Sequence, residues 1–258
     1  RKMLSTRGIL NGMKQEKEFD GELQYLESYR IIPEGKDDKI ADFFLVLAEV
    51  FNDFKGIDFF EKLIINQYRF PPPQEVSVHQ GEYSGLLTQT RKIFIGNLRE
   101  FLEFLKENKE ILQTTEFRDV LDKTNKDIQR RWKNIVDIAL ERESEDIHNF
   151  TKYLKEVRNN VASHYYQPKG LRIAFCNFFH KKRKIEQNKL AYYYIGETME
   201  TTRFFYADAA VQEYLRSTTQ QNEIGFDYKY KTEIGAILGD VSLTILRLLK
   251  AYLKNRPK

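Results

Sequence analysis

The sequence predicts a mainly α-helical protein, and three observations carry that expectation. Apolar residues recur at intervals of three and four along most of the chain, the period of one helical face. Gly, Pro and short polar runs separate long periodic stretches instead of the close-set turns of a β protein. Only Leu190–Ile195 and Thr202–Tyr206 are aromatic-rich enough to suggest strands. Long antiparallel helices with short connections read as a bundle. A short β-hairpin over 190–206 is the one β element the pattern allows, in competition with a helix from about 198 through Leu215.

Composition sets the outer limits. With 258 residues, 41% of them hydrophobic, the chain can bury one large core or two modest ones. The 31% charged content and the lack of low-complexity tracts argue for a folded chain. No apolar run approaches the ~18 residues of a membrane span. The start, Arg1-Lys2-Met3-Leu4, lacks the apolar stretch of a secretion signal, so the expectation is a soluble, cytoplasmic protein. Cys176 is the sole cysteine, which excludes an internal disulfide and a Cys-based zinc site. Its setting, Ile173-Ala174-Phe175-Cys176, reads as a small buried hydrophobe. The net charge of +4 is unevenly spread. Residues 1–79 hold 11 Lys/Arg against 14 Asp/Glu, whereas residues 168–192 hold seven Lys/Arg against one Glu. An anionic partner for the second region follows from that contrast.

In chain order, Phe19, Leu23, Leu26 and Tyr29 define a helix from about Lys14 to Tyr29. After a turn at Pro33–Asp38, Phe43, Phe44, Leu47, Val50, Phe51 and Phe54 mark a second helix, ended by Gly56, and a third runs from about Asp58 to Tyr68. Pro71-Pro72-Pro73 cannot continue a helix and reads as a linker. It divides a small helical module, residues 1–75, from a helical bundle domain, residues 76–258. That domain opens with a long helix over about 81–112, its inner face set by Leu87, Phe94, Leu98, Phe101, Leu105 and Leu112, with Arg99, Glu100, Glu103 and Lys106 outside. A second helix over about 115–141 turns Phe117, Leu121, Ile128, Trp132, Ile135 and Ala139 inward. Ser144 is a suitable N-cap for the next, whose Ile147, Phe150, Leu154, Val157 and Val161 are spaced 3, 4, 3 and 4. Helices over about 171–187 and 231–254 complete the chain. Gly235 and Gly239, four apart in the last, suggest close helix packing.

The densest chemistry lies at the end of the 144–161 helix, in Glu156-Val157-Arg158-Asn159-Asn160-Val161-Ala162-Ser163-His164-Tyr165-Tyr166. On a wheel of about 100° per residue, Leu154, Val157 and Val161 form one stripe, with Arg158 and His164 on opposite margins about 120° apart. Asn160, four residues before His164, shares its margin. Within one continuous helix the pair diverges. If the stripe packs against its two-fold mate, Arg158 of one copy approaches His164 of the other and a composite cleft results. A kink at Ser163 would instead bring them together in one chain.

Arginine and histidine suit RNA cleavage by 2′-hydroxyl attack on the adjacent phosphodiester. A histidine can take or give the proton near neutral pH, and a guanidinium can hold the non-bridging oxygens as charge grows. No metal or other cofactor is required, and His79, His148, His164 and His180 show no metal-ligand spacing. Phosphate-loop, dinucleotide and nucleophile-elbow motifs are missing too.

Arg158, followed by Asn159 and separated from His164 by five residues in all, resembles the Rx4–6H motif of the HEPN superfamily, in which a polar residue usually follows the arginine. The resemblance implies a helical bundle that dimerises through the motif helices. It implies a metal-independent endoribonuclease of the toxin–antitoxin or antiviral-defence kind, with Arg158 and His164 catalytic and Asn159 auxiliary. Asn160 and Tyr165 are further auxiliary candidates. RNA, a second copy of the chain and an inhibitory antitoxin protein are the implied partners. Lys181, Lys182, Arg183 and Lys184 would track a phosphate backbone, and Tyr165, Tyr166 and Tyr192–Tyr194 could stack on unpaired bases. Each feature has a plainer reading. Arg158 can be a solvated flank, His164 a helix terminus, the basic run a solvated C-terminus, and the tyrosines core or sheet packing. The chain is then an inactive helical module that binds RNA or a protein partner. Arg203 and Asp208 read as a structural ion pair, and Arg130-Arg131 as a solvated face.

Overall fold

A computed structural model of the chain describes residues 26–32, 37–68, 77–142, 145–157, 168–180, 191–198, 202–218 and 235–255. Among them the fold is mainly α, with helices α1 (Ser28–Ile31), α2 (Lys39–Gln67), α3 (Val78–Glu107), α4 (Thr115–Asp122), α5 (Lys126–Ala139), α6 (Glu145–Val157), α7 (Pro168–Phe179), α8 (Phe205–Thr218) and α9 (Gly235–Asn255). A 3-10 turn, Ile111–Gln113, leads into α4. No described helix is long and apolar enough to cross a membrane.

Short polar side chains start the helices by accepting otherwise orphaned backbone N–H groups. Asp38 accepts from Ala41 N at 2.9 Å and opens α2. Ser77 opens α3, Thr114 opens α4 and Asn125 opens α5 in the same way. At the far end of α5, Glu141 takes a left-handed φ of 50° and Arg142 N bonds back to Asp137 O at 3.0 Å, closing the helix where a glycine is usual.

α2 lies antiparallel to α3. Phe43 stacks on Phe104 at 5.0 Å, and further along α2 Phe54 meets Phe94 at 5.5 Å and Phe101 at 6.3 Å. α9 closes the other side, where Tyr252 stacks on Phe44 at 4.1 Å and Arg131 of α5 pairs with Asp240. Phe117 and Trp132 bring α4 and α5 to the same centre, their rings 5.5 Å apart. Phe43, Phe44, Leu98, Leu105, Phe117, Leu154, Ile245 and Leu248 are all 2% exposed or less and belong to one hydrophobic core. Each aromatic pair adds about 0.5–1.5 kcal/mol beyond its area burial, so the centre is held by shape as well as by dryness. The residues on either side of Pro71–Pro73 share this core, because α2 packs on both α3 and α9. The prolines themselves lie outside the described residues.

Several elements differ from the sequence expectation. Gly56 does not end a helix. α2 runs through it because Phe54 and Ile57, buried on either side, outweigh the ~1 kcal/mol cost of an interior glycine. The 115–141 stretch is two helices, split where Thr124 bonds back to Leu121 O at 2.6 Å and Asn125 caps α5. Arg99 is not on the outer face. It is buried, pairs with Glu103 and lies 4.0 Å from Glu141. Over 191–206, the described residues hold one isolated antiparallel bridge, Tyr194 with Arg203, joined by two 2.8 Å bonds. α8 begins two residues later, which leaves no room for a second strand pair. Cys176 is half-buried, short of the full burial expected. A Cβ on Gly239 would meet nothing within 4 Å, so it is not a close-packing position.

Candidate functional site

The Arg158–His164 motif comes after Val157, the last described residue of α6, and before Pro168, the first of α7. α6 has Thr151, Tyr153, Leu154 and Val157 buried, with Lys152 and Lys155 exposed. Leu154 and Val157 are wholly enclosed by the chain's own core, so this part of the apolar stripe is not free to form a two-fold interface. α7 opens on Pro168, whose fixed φ suits a first helical position. It packs on α8, where a Cβ on Gly170 would meet Tyr214 at 3.0 Å and Phe175 meets Tyr206 edge-on at 6.4 Å. Arg158, Asn159, Asn160, His164 and Tyr165 lie in residues 158–167, outside the described residues. Lys181, Lys182, Arg183 and Lys184, which follow α7 directly, lie outside them too.

The described structure adds a polar seam where α3, α6 and α8 meet. Arg203, between Tyr194 and α8, donates from Nε to Asp208 Oδ2 at 2.9 Å and from Nη1 to Glu82 Oε2 at 3.1 Å. The anticipated Arg203–Asp208 ion pair is therefore present, extended by Glu82. Gln212 donates to Thr88 Oγ1 at 3.0 Å, which ties α8 to α3 a turn further along. α8 consequently runs alongside α3 in the same direction, from Phe205 over Gly81 to Gln212 over Thr88. The close approach rests on Gly81 and Gly85: a Cβ on the first would overlap the Phe205 ring, and on the second the Arg203 guanidinium.

Lys92, 5% exposed, lies in the same seam. Burial pushes its ammonium pKa below the usual lysine range, and the Asp208 carboxylate partly opposes the shift. Tyr153 is equally enclosed. Burial drives its phenol well above the ordinary range, against a smaller contrary pull from Arg91. The phenol is therefore a neutral donor at any physiological pH. Its Oη has no hydrogen-bond partner among the described residues. Sequence reading missed Lys92, Tyr153 and Gln212 because polar residues at inward phase break the apolar period. The available signal was Gly81 and Gly85, four apart on a long helix.

Tyr192, Tyr193 and Tyr194 are exposed at 44%, 62% and 44%, with Ile195 and Phe204 exposed beside them. These tyrosines are therefore not core residues, and Tyr194 pairs with Arg203 in the isolated bridge. Arg130 is solvated as expected, whereas Arg131 is only partly exposed and bridges Asp127 and Asp240. Among the described residues no group of three His, Cys, Asp or Glu could hold a metal ion. Comparison with protein-family models, with curated proteins and with solved structures gave no match to the chain.

Proposed function

We propose that the chain is a metal-independent endoribonuclease of HEPN type, its site built from Arg158 and His164. The observation that carries this reading is the setting of the motif. An arginine and a histidine, with two amides between them, follow directly in sequence on Val157, the fully buried last described residue of a core helix, and precede α7.

In this reading the 2′-hydroxyl of RNA attacks the adjacent phosphorus and the 5′-oxygen leaves, giving a 2′,3′-cyclic phosphate and a free 5′-hydroxyl. His164 takes the 2′-proton or delivers one to the departing oxygen, and Arg158 binds the non-bridging oxygens as negative charge builds. Asn159 and Asn160 orient the ring or the phosphate, and Tyr165 lines the site. Because Leu154 and Val157 are used within one chain, two copies would meet through residues 158–167 and not through the α6 stripe. Lys181–Lys184 follow as the phosphate track. A toxin or antiviral role, with an antitoxin as restraint, is the biological setting this chemistry suits.

The test is cleavage of single-stranded RNA in excess EDTA. Wild type leaves 2′,3′-cyclic phosphate ends, and His164→Ala is slower by roughly 10²–10⁴-fold. Equal rates for the two proteins remove the proposal. A second reading, RNA binding without cleavage, draws on the exposed Tyr192–Tyr194 faces, since stacking is worth about 1–3 kcal/mol per base. It requires salt-dependent RNA affinity, lowered by Tyr193→Ala, with no product at any time point.

A further inference from the structure

A groove lies at the opposite end of α3 from the polar seam. It has a volume of about 720 Å³ and opens between the start of α2, the end of α3 and the 3-10 turn. Its floor is apolar: Ile40, Phe104 and Ile111, over the buried Phe43. Its rim is acidic, with Asp37 and Asp42 on the α2 side, Glu107 and Glu110 on the other, and Lys39 as the one cation in the lining. Among the described residues none of these four carboxylates carries an ion pair. The neutral polar groups of the lining are already engaged. Asn108 Nδ2 donates to Phe104 O at 2.9 Å, and Thr114 Oγ1 both donates to Ile111 O and accepts from Phe117 N. Recognition in this groove therefore rests on apolar contact below and negative charge above.

The chain carries a segment of the opposite character. Residues 1–15 contain Arg1, Lys2, Arg7 and Lys14, no Asp or Glu, and Met3, Leu4, Ile9, Leu10 and Met13 between them. The chain after this segment is tethered close by. Tyr252 Oη donates to Ile31 O at 3.3 Å and fixes α1 near Phe44, whose neighbour Phe43 floors the groove. From Ile32 to Asp37 the chain spans at most about 18 Å, and residues 15–26 reach about 16 Å as the helix their spacing predicts and at most about 35 Å if extended. We propose that residues 1–15 dock in this groove in the same molecule. Two or three of the apolar side chains seat on the floor, and the basic residues meet the rim. Such a tether gives an effective concentration of about millimolar, so even a weak site is filled.

Carbodiimide cross-linking of the full-length chain, which joins lysine amines to carboxylates in contact, tests this directly. Lys2 or Lys14 is expected to link to Asp37, Asp42, Glu107 or Glu110, and in an equal mixture of ¹⁴N and ¹⁵N protein each linked pair carries a single isotope. Raising salt from about 0.05 to about 0.5 M is expected to cut the yield about tenfold. Asp42→Lys with Glu107→Lys should abolish it at these exposed positions, with an unchanged melting curve as control. Adding Lys2→Glu and Lys14→Glu to that variant should restore linkage with the roles reversed. Linkage only to other carboxylates, isotopically mixed pairs that would mark a second copy as occupant, or a yield indifferent to salt would each overturn the proposal. If the groove variant fails to fold, the salt and isotope arms on wild type decide.

Discussion

Gly85→Ala should destabilise the protein although alanine is the better helix former. In the interior of α3 the substitution gains about 1 kcal/mol of intrinsic helix stability. The new methyl group, however, would occupy the space of the Arg203 guanidinium, well inside the ~3.5 Å of ordinary carbon contact. Arg203 must move, and its bonds to Asp208 at 2.9 Å and Glu82 at 3.1 Å cannot both survive. Arg203 is 17% exposed and its partners 15% and 23%, so solvent replaces a lost bond poorly. A hydrogen bond to a charged group contributes about 1.5–3 kcal/mol. Losing one and weakening the other exceeds the helix gain and leaves a net loss of about 2 kcal/mol. Gly56→Ala in α2 is the matched control, because a Cβ there meets nothing within 4 Å and only the helix gain applies. For a chain of this size 1 kcal/mol moves the melting temperature by about 2–4 °C. Thermal melts followed by circular dichroism should show Gly85→Ala about 4–8 °C below wild type and Gly56→Ala about 2–4 °C above it. In an Arg203→Ala background Gly85→Ala should become neutral or stabilising, since the two sites are in contact and do not add. Equal stabilisation by both glycine substitutions would refute the argument that Arg203 holds α8 against α3.

Two further expectations follow from the same seam. Lys92→Met should raise the denaturation midpoint at pH 7, because burial disfavours the ammonium. The folded state binds that proton less readily than the unfolded chain, whose lysine titrates at the ordinary value of 10.5, so stability rises with pH and the gain from Lys92→Met fades as pH nears 10.5. A gain that grows with pH would contradict this. Tyr153→Phe should be neutral or stabilising in urea unfolding, because the buried Tyr153 hydroxyl has no hydrogen-bond partner among the described residues. A loss of about 1 kcal/mol or more would contradict this.

Much of the fold was legible because single residues reported it. Leu98, Phe101, Leu105, Phe117, Trp132 and Ile135, all placed inward by period, are buried. The period failed where two helices keep the same phase across a break, as at Thr124-Asn125. It also failed where burial carries a helix through a glycine, as at Gly56. Arg99 was misassigned because a long side chain can bury its stem and still find partners in Glu103 and Glu141. The seam around Arg203 was visible only as one ion pair. Glu82 lies far away in sequence and is brought there by the Gly81–Gly85 face, a tertiary fact that no local pattern encodes. The candidate site was legible as chemistry and not as geometry: Arg158 and His164 stand out by residue type, whereas their mutual placement depends on the path of residues 158–167.

The central claim is that Arg158 and His164 cut RNA together, at a site that takes one residue from each of two copies. The most direct measurement is the cleavage rate of single-stranded RNA in EDTA for Arg158→Ala, for His164→Ala, and for the two variants refolded together in equal amounts. Each alone should be nearly inactive. In the mixture about half of the dimers pair the two variants, and each such dimer holds one intact site of two, so about a quarter of the wild-type rate should return. A mixture as inactive as its components, beside an active wild type, would contradict the two-copy site. Undiminished cleavage by either single variant would contradict the assignment of these residues altogether.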